Sequence, residues 1–188
     1  MNISLRKANA LQNSINDAIK SLESNPVVGL NEFQDAEVEI ARVRVQTLSQ
    51  LDTRKYLYNA LYEIRQAVST ANHTAGIDAK LAQVAHLDKL IQLYNSLVSQ
   101  KVRESAAVIA GKLEKMRTRT ETSRLYGFDS TVDTSVFAQE DLDGFSKEVA
   151  QLKKNKQKTQ DEILELNVRT EIAVSASTQA VLTSQGLV

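Results

Sequence analysis

Residues 31–72 read NEFQDAEVEIARVRVQTLSQLDTRKYLYNALYEIRQAVSTAN, a stretch with neither proline nor glycine. Phe33, Ala36, Ile40 and Val43 fall at heptad spacing, and Leu57, Leu61, Ile64, Val68 and Ala71 resume the same register. Between them the seam is polar, at Thr47, Gln50 and Arg54, while Leu48 and Leu51 stand one residue off it. A straight α-helix drifts against a seven-residue repeat, so one continuous helix is favoured over two helices with a concealed turn near Ser49 to Asp52. Asn31 is placed to cap its start, with Gln34 reaching back to the cap's own N–H. Glu32 and Asp35 suit the positive end of the helix dipole. About forty residues at roughly 1.5 Å each make a rod of about 60 Å, which predicts an all-α fold, an elongated antiparallel helical bundle or coiled coil with long helices.

The rest of the chain follows the same pattern outward. Upstream, Leu5, Ala8, Leu11 with Ile15, Ala18 or Ile19, and Leu22 form one apolar stripe, predicting a helix over about 3–24 that stops before Pro26, with Gly29 in the link. Downstream, Ile77, Leu81, Val84, Leu87, Ile91, Tyr94 and Val98 predict a helix over 77–99. Val102, Ala106, Ile109, Leu113 and Met116 predict another over 102–122, separate from the third or continuous with it through a bend. Residues 122–137 lose the helical period and gain turn formers, with brief strand character at Thr131 to Val136. The last helix is predicted over 139–171, with Leu142, Phe145, Val149, Leu152, Ile163 and Leu166 in one register and Lys156 and Thr159 between them. If the polar middles of the two long helices face each other, they make a wet waist. Residues 1–172 are expected to form a single elongated domain, and 173–188, which carry no charged side chain, a flexible tail that orders on a partner.

Composition agrees and narrows the function. The 188 residues include one Pro, six Gly and 5% aromatics, a poor supply for turns and strands. Lys+Arg 23 against Asp+Glu 23 gives no net charge, so no global field draws the chain to nucleic acid or anionic lipid. Without cysteine there is no disulfide framework, thiolate metal site or cysteine nucleophile. No run of about 18 apolar residues occurs, and the beginning of the chain lacks the apolar core of an export signal. A cytoplasmic place is expected, or a virion if the protein is phage-encoded, with no membrane partner.

No motif points to catalysis. His73 and His86 read as a loop and a helix-face histidine outside any metal-spaced cluster, and the glycines do not approach a phosphate-cradling spacing. Asp141 and Asp143 read as helix N-terminal charges rather than an acid/base pair. Neither an enzyme, a cofactor, a metal nor a small-molecule substrate is expected. Lys147, Lys153, Lys154, Lys156 and Lys158 form one basic run, and Lys112, Lys115, Arg117, Arg119 and Arg124 another. Lys153, Lys154 and Lys158 are the candidate basic contact, although a solvated face is the plainer reading. Tyr56, Tyr58 and Tyr62 are a candidate partner surface, with ordinary helix packing the plainer reading.

TVD at Thr131 to Asp133, EILELNVRTEI at Glu162 to Ile172, the opening MNISLRKANALQNSINDAIKSL and the Asn-rich break after the second helix together resemble the septicolysin-like family of little-characterised helical proteins of bacteria and phages. Val168 stands where that family has Trp, and Lys101 to Thr122 and the segment after Ala173 look like additions. The resemblance implies an α-helical, oligomer-prone protein without an assigned catalytic site.

These readings predict a self-associating, non-enzymatic structural or interaction protein, a homo-oligomer that also meets other structural proteins, as a phage particle component would. The interface is expected at Leu57, Leu61, Ile64, Val68, Leu142, Phe145, Val149, Leu152, Ile163 and Leu166, because the long apolar seams exceed what the short segments cover. A small adaptor or inhibitor of a host protein is the alternative, and a helical nucleic-acid binder ranks third.

Overall fold

Ser4 both ends an extended segment and begins a helix. Its backbone is extended and its hydroxyl accepts the Lys7 N–H, so the three residues before it are left outside the helix. In the computed structural model, which describes residues 1–22, 26–118 and 131–188, the chain there forms strand β1 (Asn2–Ser4). Its antiparallel partner is β2 (Glu171–Ala173), with Ile3 opposite Ile172 and both buried. Both flanking helices are therefore shorter than the period suggests: α1 covers Leu5–Ser21, and the last long helix ends at Arg169.

The described residues are three-quarters helical, and the fold is all-α with long helices as expected. After α1 come α2 (Ala36–Thr74), α3 (Ile77–Val98), α4 (Ala106–Arg117), α5 (Gln139–Arg169) and α6 (Ala176–Ser184). Helix α2 is continuous, so the turn near Ser49 to Asp52 does not form. It begins five residues later than expected, at Ala36 instead of Asn31. Asn31 and Gln34 do make the reciprocal contacts, Asn31 N–H donating to Gln34 Oε1 and Phe33 N–H to Asn31 Oδ1, both 3.0 Å. They close an isolated turn, and Asp35, accepting from Glu37 and Val38 N–H, caps the helix proper. Gly76, at φ 73°, turns the chain from α2 into α3. Residues 99–105 separate α3 from α4, which Ser105 caps, so the two are not one bent helix. No strand forms over residues 131–136. The remainder of the predicted loop and of the fourth helix, 119–130, lies outside the described residues.

Instead of a single domain, the chain divides into two compact units, Met1–Leu81 with Asp161–Val188, and Ala82–Gln160. In the first, the α1 stripe of Leu5, Ala8, Leu11, Ile15 and Ile19 is buried, and α1 packs on α2, whose buried residues are Leu57, Ala60, Leu61, Ile64 and Val68. The segment after residue 173 is structured, contrary to expectation. Val174, Thr178 and Leu182 are buried, α6 packs on α2, and a left-handed Gly186 closes α6 with Gly186 N–H to Thr183 O and Leu187 N–H to Leu182 O.

In the second unit Leu87, Leu142, Val149 and Leu152 are buried, and Phe145 meets Tyr94 and Phe137 ring to ring at 6.0 and 5.4 Å between centroids. Lys156 bonds Asp88 at 2.6 Å, and buried Thr159 donates back to Asn155 O. The polar middle of α5 is thus satisfied within its own unit.

Candidate functional site

The expected interface is largely core. Leu57, Leu61, Ile64 and Val68 are buried in the first unit, which also buries Ile163 and half-buries Leu166. Leu142, Val149 and Leu152 are buried in the second, with Phe145 half-buried. A heptad seam specifies that a facing helix exists; it does not specify whose. Here the chain supplies its own cover for most of them.

The uncovered apolar surface lies elsewhere on α2, and helix lengths explain it. Leu5 N–H bonds Thr170 O beside β2, and β2 lies along the C-terminal turns of α2, Ala67 to Ala75. Helix α1 therefore starts at the C-terminal end of α2. Its 17 residues span about 25 Å and the 39 of α2 about 58 Å. The first half of α2 runs past α1 and contains no buried residue over 36–56. The seam positions Val43, Thr47, Gln50 and Arg54 are half-buried there, and Arg54 Nε is buried without a hydrogen-bond partner. Pro26 and Val28 of the link line a groove of about 280 Å³ with Ile40, Val43, Arg44, Thr47 and Leu48.

Val38, Ile40, Val45, Leu48 and Leu51 are 46–66% exposed. Val38, Ala41, Val45 and Leu48 follow one another at steps of three, four and three residues, a second stripe turned away from the Val43 to Arg54 seam except at Leu48, which also lines the groove. Arg42 bridges Glu39 along the helix, and that hydrogen bond holds the Glu39 carboxyl below its ordinary range. This segment therefore carries apolar residues on two sides, and one of the two is left largely uncovered by its own chain. Counting a single seam passes over this stripe. The signal is present in Val38 and Val45, apolar residues off that seam.

Tyr56, Tyr58 and Tyr62 continue along α2, each more than half exposed, so they are not packed as expected. Tyr62 accepts a hydrogen bond from Gln66 at 2.8 Å. Lys147, Lys153, Lys154 and Lys158 are exposed on α5. In the other basic run Lys112 bonds Glu104 and Arg117 lies near Glu114, while Arg119 and Arg124 fall outside the described residues. Asp141 accepts the Ala138 N–H and Asp143 a bond from the Gln139 amide, the N-terminal roles expected of them. His73 stands in the last turn of α2 instead of a loop, and His86 on α3.

Glu63 is a carboxylate of α2 with three hydrogen-bond donors around it. It accepts the Ser175 N–H (2.8 Å), the Ser175 hydroxyl (2.9 Å) and the Thr178 hydroxyl (2.5 Å), tying the start of α6 to α2. Burial pushes its pKa up, but the Thr178 and Ser175 hydrogen bonds and the nearby amino-terminal charge outweigh that and hold it below the ordinary value. Its role is to hold the fold. Among the described residues no cluster of His, Cys, Asp and Glu is arranged to hold a metal, and no helix is long and apolar enough to cross a membrane. No family model, curated protein or solved structure matches the chain.

Proposed function

We propose that the protein is a non-enzymatic structural protein that self-associates through the first half of α2. The observation that carries this is the contrast within one helix: Leu57, Ile64 and their neighbours are covered by the chain, while Val38, Val45, Leu48 and Leu51 are left open. The resemblance to an oligomer-prone helical family points the same way and suggests a bacterial or phage setting, in which a particle component is the fitting role. Light scattering at low and at physiological salt tests the reading. A multimer is expected at both, because apolar contact is not screened, and Val45→Asp is expected to give a monomer of unchanged helix content. A wild-type chain monomeric at both salts overturns it. The exposed Tyr56, Tyr58 and Tyr62 favour a second reading, an adaptor that presents these rings to another protein. A monomer would move the balance to that reading.

A further inference from the structure

We infer that residues 38–48 pair with the same residues of a second copy as a parallel, in-register, two-stranded coiled coil, with Glu37 of each chain bridging the partner's Arg42. This rests on the self-association reading and adds the register, direction and ion pairs.

The seam is Val38, Ala41, Val45 and Leu48, which occupy positions a, d, a and d. Valine at both a positions, with leucine at one d and the small Ala41 at the other, suits two parallel strands. Asp52 and Lys55 take the next a and d positions and end the seam, so the paired length is about two heptads.

Charge then selects the direction. Glu37 and Arg44 fall at g, and Arg42 and Ser49 at e. Parallel strands bring each g beside the e of the following heptad on the partner, so Glu37 meets Arg42 twice, and Arg44 meets the neutral Ser49. Antiparallel strands that keep the four seam residues in contact oppose Val38 to Leu48 and Ala41 to Val45, and because e then flanks e and g flanks g, each Arg42 comes beside the other copy's Arg42 and each Arg44 beside the other copy's Arg44. One arrangement gains two opposite-charge pairs where the other suffers two like-charge ones. Arg42 already bridges Glu39 of its own helix, and its planar fork has donors for a second carboxylate.

Because the chain contains no cysteine, single cysteines report direction cleanly. Val38→Cys and Leu48→Cys are each oxidised alone and as a mixture, with Ser49→Cys as an off-seam control and dichroism to confirm the helix. Parallel pairing is expected to give disulfide dimers of each seam variant with itself, and few from Ser49→Cys. Glu37→Arg should weaken association by about fivefold or more, and adding Arg42→Glu in the same chain should restore it. In the mixture, preferential cross-linking of a Val38→Cys chain to a Leu48→Cys chain would overturn the direction. A wild-type multimer whose seam variants do not cross-link would overturn the site while leaving self-association standing. A wild-type monomer would remove both.

Discussion

Glu63 shows how one carboxylate can decide whether a segment is tail or core. Residues 175 and 178 present three donors to it at the point where α6 begins. Glu63→Ala leaves those donors with no acceptor and is expected to cost about 1–3 kcal/mol. The pH dependence has a definite sign. The folded pKa lies below the ordinary 4.5, so the folded state binds fewer protons there than the unfolded chain. The contribution is complete above the unfolded pKa and is lost as pH falls through the folded one. Urea midpoints of wild type and Glu63→Ala at neutral pH and at about pH 3 check this: the gap should narrow in acid. None of this is legible in sequence. Glu63 lies beside the seam as an ordinary helix-surface acid, and its donors are more than a hundred residues away (separations of 112 and 115). By contrast, the acids at the start of α5 can be read correctly, because their partners lie within one turn.

At the scale of elements, α2 is legible as a single long helix because 3- and 4-residue steps persist through its polar middle and no breaker interrupts it. Its N-terminal boundary is misplaced by the pattern because Asn31 and Gln34 satisfy each other in a separate turn, and Asp35 offers a competing cap. The two strands are invisible for another reason: three residues carry no measurable alternation, and each needs the other end of the chain. The expected interface falls on the covered half of α2 and leaves out the open one, since period alone ranks Leu61 with Val43 and says nothing of α1 stopping short. The halves should respond oppositely to the same change. Ile64→Asp places a charge with no partner at a fully buried position and is expected to cost several kcal/mol, about enough to unfold the first unit. Val45→Asp, on the open stripe, should leave the denaturation midpoint of the isolated chain within about 0.5 kcal/mol of wild type. Equal losses at both positions would show the first half of α2 to be covered after all.

For the molecule as a whole, the two-unit division escapes the sequence because its boundaries fall inside α3 and α5, where an unbroken helix offers no loop or composition change to mark them. The contrast between expected tail and observed core over residues 173–188 belongs at this scale too. A nine-residue helix has little intrinsic stability in water, and an uncharged sequence with a short period resembles a tail until the surface it needs is in view. That surface is α2. Ending the chain after Ala173 removes Val174 and Leu182, each about 1.5–3 kcal/mol of buried apolar contact. It also removes every hydrogen bond described for Glu63. The combined loss is comparable with the margin of an ordinary domain, about 5–15 kcal/mol. The shortened chain is therefore expected to lose helix signal at a markedly lower urea concentration, with early exchange of the amides of α1 and of Leu57 to Val68. Early exchange confined to the new C-terminus, with the midpoint unchanged, would return this segment to the status of a tail.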